Sequence, residues 1–177
     1  MDNSTTPAAP ANPGDTLSVN RLGGMPVVLL TNGEKQGDVD KVFVSSTEHR
    51  LIGLTVHRGG GLLSHGDTFL LRGTDVRSFG KDAITVADPS VLQKTDRNAT
   101  PFVQEAGEPA IGKPVMTESG KAVGQITDIR IDASSLNIVS YELTGSFIQN
   151  ISRGAVDVLV QHVVSIGKDV MVIKDVI

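Results

Sequence analysis

The side chains in this sequence that could do chemistry are four histidines, a repeated Gly-Lys-Asp triplet and a few aspartates. His49, His57 and His65 fall in the first half of the chain; His162 falls in the second, where alignment of the halves sets it over Asp75. A hairpin at Gly59-Gly60-Gly61 would bring His57 and His65 together, but a metal needs two or three further ligands, and strand-end histidines are the simpler reading. Gly80-Lys81-Asp82 and Gly167-Lys168-Asp169 invite a phosphate-binding loop. That loop requires Gly-x-x-x-x-Gly-Lys-[Ser/Thr] between a strand and a helix, whereas a strand pattern follows both triplets, so a structural turn is expected. Asp38, Asp40, Asp128 and Asp132 flank the second strand of each half and could hold Ca²⁺ or Mg²⁺, but their spacing does not repeat, as a solvated strand face would allow. No nucleophile and base converge by spacing. The expectation is a protein that is not an enzyme, with no catalytic residues, cofactor or metal.

One further feature occurs in both halves. Leu62 and Leu63 follow the glycine run, and Phe147 and Ile148 stand at the matching place. Two adjacent large apolar residues cannot both face one core in a regular strand. They read as a docking edge for a protein partner, as the mutual interface of the halves, or as loop residues capping a barrel end.

The elements that must position these residues emerge when the chain is laid against itself. Gly33 and Gly37 fall over Gly120 and Gly124, and Ser78-Phe79-Gly80-Lys81-Asp82 over Ser165-Ile166-Gly167-Lys168-Asp169, at a spacing of 87 positions. Gly24 and Pro26 over Gly112 and Pro114 need 88, so one residue is inserted or lost near Thr31. Ile52, Leu54 and Val56 alternate with smaller or polar residues, as do Val139, Tyr141 and Leu143, the period of a half-buried strand. No amphipathic helix of three turns is visible. Each copy offers five or six short strands, about right for a small curved barrel. The organisation expected is a disordered tail over 1–16, a first domain over 17–90, a linker over 91–110 to which Phe102 and Val103 add a point of attachment, and a second domain over 111–177.

Composition narrows the partners. The net charge is −4, and the copies carry eight basic against eight acidic residues and six against seven, so neither is a basic nucleic-acid surface. There is no cysteine to form disulfides. The longest apolar run, from Met25 to Leu30, falls far short of the ~20 residues of a membrane-spanning helix. A Pro- and Ala-rich start without an apolar core does not read as a signal peptide, and a cytoplasmic protein is expected.

The order Gly-x-Pro-Val, Gly-x-x-x-Gly, alternating strand and Val-x-Ser-[Phe/Ile]-Gly-Lys-Asp, present at 24–27, 33–37 and 76–82 and again in the second copy, resembles the PRC-barrel family. That family is named for the barrel of the photosynthetic reaction centre H subunit and is similar to the C-terminal barrel of RimM ribosome-maturation factors. The resemblance implies an all-β fold of two tandem PRC-type barrels, here behind the flexible N-terminal tail, working as a protein-binding or scaffolding module; the small size of each copy adds self-association as a homodimer. It implies two alternatives, a ribosome- or RNA-associated factor and an accessory of a photosynthetic or membrane electron-transfer assembly. No DNA partner is expected.

Overall fold

The computed structural model describes residues 15–60, 65–145 and 154–175. The first half runs β1 (Thr16–Ser18), α1 (Val19–Leu22), β2 (Pro26–Leu29), β3 (Lys35–Ser45), β4 (Arg50–Arg58), β5 (Asp67–Arg72), β6 (Val76–Phe79), β7 (Ile84–Val86), β8 (Gln93–Thr95) and α2 (Thr100–Ala106). The second runs β9 (Pro114–Thr117), β10 (Ala122–Asp132), β11 (Ile138–Thr144), β12 (Val156–Leu159), β13 (Val163–Ile166) and β14 (Met171–Ile173). Two sheets result, ordered β6-β7-β2-β3-β4-β5-β8 and β12-β11-β10-β9-β14-β13, and the pairing described in each follows an open path.

The repeat in the sequence is a repeat of hydrogen bonds. Val27 pairs in parallel with Ile84, and Val115 with Met171. Gly24 N donates to Val39 O as Gly112 N donates to Ile126 O, both at 2.8 Å. The change of spacing near Thr31 is a longer turn: Gly33 N reaches back to Leu29 O, whereas Gly120 N reaches only to Thr117 O. Irregularities recur as well. The β3–β4 ladder shifts between Val39 and Lys41 and between Phe43 and Val44; the β10–β11 ladder shifts between Ile126 and Asp128 and between Arg130 and Ile131. Such bulges bend a strand and raise its twist, which curves both sheets.

The second bulge corrects the strict alternation expected of β4 and β11. Gly53 pairs with Phe43 and Leu51 with Val44, so Ile52 is the extra residue and leaves the phase of Leu54 and Val56; Val139 is left out in the same way between Ser140 and Ile138. Leu54 and Val56 bury in the first core with Val27, Leu71, Ile84 and Val86, while Tyr141 and Leu143 bury in the second with Val115, Ile126, Met171 and Ile173. Ile52 turns to a third cluster with Leu70 and Phe102.

Short elements occur at residue 16 and within 91–110. Thr16 belongs to β1, whose partner β10 is in the other copy. Within 91–110, β8 extends the first sheet beside β5, and α2 packs on it. Pro101 in the first turn and Gly107 at the end, with φ +71°, bound this helix. Phe102 is the attachment: its ring meets Phe43 edge-on at 5.7 Å, and Arg72 lies over it while pairing with Glu105 at 3.1 Å. Val103 stays 48% exposed.

Candidate functional site

The two copies meet at a seam in which equivalent residues face each other. Leu51 N donates to Leu136 O and Ile138 N donates to His49 O, each at 2.8 Å, around an antiparallel bridge of Arg50 with Asn137. Each of these residues and its counterpart are 87 positions apart, so the hairpin ends are related by a local two-fold. His49 and Leu136 both hold left-handed backbone, φ 52° and 63°, to present their carbonyls there. His49 Nδ1 also lies 3.3 Å from the hydroxyl of Tyr141, which has no exposed surface and whose pKa burial pushes up. Val19 and Leu51 of the first copy sit in the core of the second.

A second contact breaks that symmetry. β1 adds to β10 with Thr16 opposite Asp132 and Ser18 opposite Arg130. There the buried Asp128 carboxylate accepts from Ser18 Oγ, from Asn20 N at 3.1 Å and from Ile129 N at 2.8 Å. Asn20 Nδ2 donates to Thr127 O at 2.8 Å. A carboxylate of one copy thereby satisfies the start of a short helix in the other. Arg130 stands 3.7 Å from Asp128 and 2.5 Å from Glu142, supplying positive charge nearby.

Beside the seam lies a half-open apolar cavity of about 420 Å³. Lys41 to Val44 of β3, Val103 and Ala106 of α2, Gly107 with 109–111, and Val19 and Ile129 wall it, so both copies contribute. Val103 and Ile111, 48% and 40% exposed, give it an apolar rim. It can take an apolar side chain, and Lys41 supplies the one charge among the described residues that line it.

The polar residues that the sequence singles out take separate local roles. His57 and His65 are exposed, His49 turns to the seam, and His162 offers its carbonyl to Lys174 N at 2.9 Å. No group of three or more His, Cys, Asp or Glu side chains able to hold a metal occurs among the described residues. Both Gly-Lys-Asp triplets are turns, closed by Gly80 N to Ala83 O and Gly167 N to Val170 O. In the second, the buried Lys113 Nζ donates to Gly167 O and Lys168 O at 2.7 and 2.9 Å. Asp38 pairs with Lys35 at 2.7 Å and Asp40 is exposed. Asp132 closes a turn, its carboxylate accepting from Ser134 Oγ at 2.6 Å and Ser135 N at 2.7 Å, which hold its pKa down to about 2. Leu62, Leu63, Phe147 and Ile148 lie outside the described residues.

Sequence reasoning missed the seam and the cavity, and it placed Asp128 on a solvated strand face although this carboxylate is buried. The available signal was the two-fold relation itself: residues that repeat at hairpin ends are where a duplicated domain can meet its copy.

Fold and site together define a duplicated, mostly β protein with its copies joined through a two-fold seam. The PRC-barrel domain matches it twice, over residues 14–93 and 105–176. The chain belongs to the PRC-barrel family and carries two tandem copies of its domain. A search of curated proteins found no match. Among the described residues, no helix is long and apolar enough to cross a membrane.

Proposed function

We propose that the chain is a non-enzymatic docking module whose two PRC-type barrels act as one rigid scaffold and bind a protein partner at the surface they build together. The observation carrying this reading is the apolar cavity beside the seam, walled by both copies and rimmed by the exposed Val103 and Ile111. Apolar residues exposed side by side around a concavity mark interaction sites more often than isolated ones do. The near balance of charge in each copy supports a protein partner over a nucleic acid, and the lack of cysteine supports a cytoplasmic setting.

The test is affinity capture from the native cell with wild type and with Val103→Arg and Ile111→Arg, both exposed enough to leave the fold intact. A captured protein should be lost with either variant while the melting temperature holds. Capture indifferent to both variants, or abolished by RNase, would overturn the reading.

A further inference from the structure

Among the described residues, the first copy has a strand edge with no strand partner where the second has a paired one. In the second, β1 lies along 130–132 of β10. The equivalent stretch of β3 is Phe43, Val44 and Ser45, 87 positions earlier. These residues pair with β4 on one side. On the other, β2 pairs only as far as Asp38, and no strand continues along that edge among the described residues. The spacing of 88 that sets Gly24 over Gly112 makes 104–106 the counterpart of β1, and these residues form the end of α2 instead. Phe102 fixes that helix on the sheet face, where an added Cβ on Gly53 would meet its ring at 2.7 Å. The cavity fills the vacated place. Its lining includes four consecutive residues of β3, Lys41, Val42, Phe43 and Val44. Side chains alternate along a strand, so consecutive lining residues mean that the space runs along the strand edge.

The charge at this edge is inverted with respect to its counterpart. Lys41 occupies the repeat position of Asp128. Where Asp128 accepts from Ser18 and Asn20 of the strand it receives, an exposed lysine favours a carboxylate on the strand it would receive. Lys41 forms no ion pair among the described residues. We infer that the β3 edge accepts an extended peptide segment of a partner protein, antiparallel to 42–45, with an apolar side chain in the cavity and an Asp or Glu against Lys41. Main-chain hydrogen bonds to the edge would supply affinity, and the cavity with Lys41 would supply specificity. This rests on the cavity being a docking site and adds the conformation and charge of what docks.

The probe is a peptide of residues 15–22, the segment containing the chain's own β1, carrying Ser18→Asp, with a Ser18→Lys peptide as control. Each is titrated into isotope-labelled full-length protein. The aspartate peptide should shift and slow the exchange of amides within 42–45, and the lysine peptide should bind about fivefold more weakly, the upper range for an exposed ion pair. Lys41→Glu should reverse that order. The inference is overturned if neither peptide perturbs β3, if the preference ignores residue 41, or if sedimentation shows a second copy of the chain filling the cavity. Loss of native-partner capture on Ile111→Arg with no peptide bound at β3 would leave the docking reading standing and remove strand addition. Peptide bound at β3 with capture unmoved by Ile111→Arg would do the reverse.

Discussion

Arg50 stands opposite Asn137 across the seam, and the two residues hold the same position of the repeat. The bonds flanking them, Leu51 N to Leu136 O and Ile138 N to His49 O, are likewise two copies of one bond. This is the geometry of an isologous dimer contact made inside one chain. Each copy alone is small enough to be marginal, and the seam lets Val19 and Leu51 complete a core they do not belong to by sequence. The copies should therefore unfold together. Leu51→Ala should cost about 2–5 kcal/mol, as truncation of a buried leucine does. Hydrogen exchange should show lost protection at Ile129 and Tyr141, in the second copy, as well as in β4. Two separate calorimetric transitions, with only the first shifted, would contradict this coupling.

The bond from Ser18 to Asp128 ties β1 and α1 to the second sheet. Asp128→Ala would leave Ser18 Oγ and Asn20 N without that acceptor, a loss of about 2–4 kcal/mol for a buried charged acceptor. Ser18→Ala removes one donor and should cost about 1 kcal/mol. Because the two share a bond, a double-mutant cycle should give a coupling of about 1 kcal/mol or more. Additive losses would mean that β1 is held by its backbone pairing alone.

Tyr141 is the only tyrosine, so alkaline absorbance reads it without interference. Burial holds its proton in the folded state more tightly than in the unfolded chain. The associated stability is full below the ordinary phenol value of 10.0 and is lost as pH rises above it. Tyrosinate should therefore appear together with loss of the fold. Reversible ionisation near the ordinary value in a protein that remains folded would show that the ring is accessible. Tyr141→Phe, which removes the contact with His49, should cost about 1 kcal/mol.

The parts of the fold that were legible in sequence are those written in local pattern. Alternating residues marked β4 and β11, and paired glycines marked the turns before β3 and β10, with even the longer turn near Thr31 placed by a change of spacing. Elements whose energy comes from distant partners were not legible. β1 is three residues long, and its partner lies more than 100 residues away. β8 is Gln93, Lys94 and Thr95, with no apolar period to detect. Helix α2 has seven residues and buries one large side chain. The same physics hid the site: Asp128 looks like any solvated aspartate until Ser18 and Asn20 are brought to it.

Asp132 gives a test at the acid end. Its carboxylate is held by Ser134 and Ser135, which lower its pKa from 3.8 to about 2. The turn should keep its full contribution above the ordinary carboxylate value and lose it as pH falls through about 2. Being half-buried at a surface turn, the carboxylate should contribute little to global stability, so the expected change is local. An NMR titration should find the Asp132 carboxyl ionising well below a typical aspartate, with the amides of Ser134 and Ser135 shifting in step. A midpoint near 3.8 would show that these hydrogen bonds do not persist in solution.

Gly53 decides where α2 can lie. An added methyl group would collide with Leu71 O and come within 2.7 Å of the Phe102 ring. Its repeat counterpart is Ser140, which carries a side chain. Gly53→Ala should therefore cost about 1–3 kcal/mol, the range for overpacking a filled site. The larger effect should be on α2: with Phe102 lifted, Arg72 and Glu105 lose their alignment, and residues 100–106 should exchange their amide protons faster while the two cores remain protected. Phe102→Ala in the Gly53→Ala background should add little, since the first change has already removed the contact. If Gly53→Ala leaves the exchange of α2 unchanged, the helix is anchored elsewhere. The β3 edge would then be left without a strand partner for a cause other than Phe102 holding this segment on the sheet face as a helix.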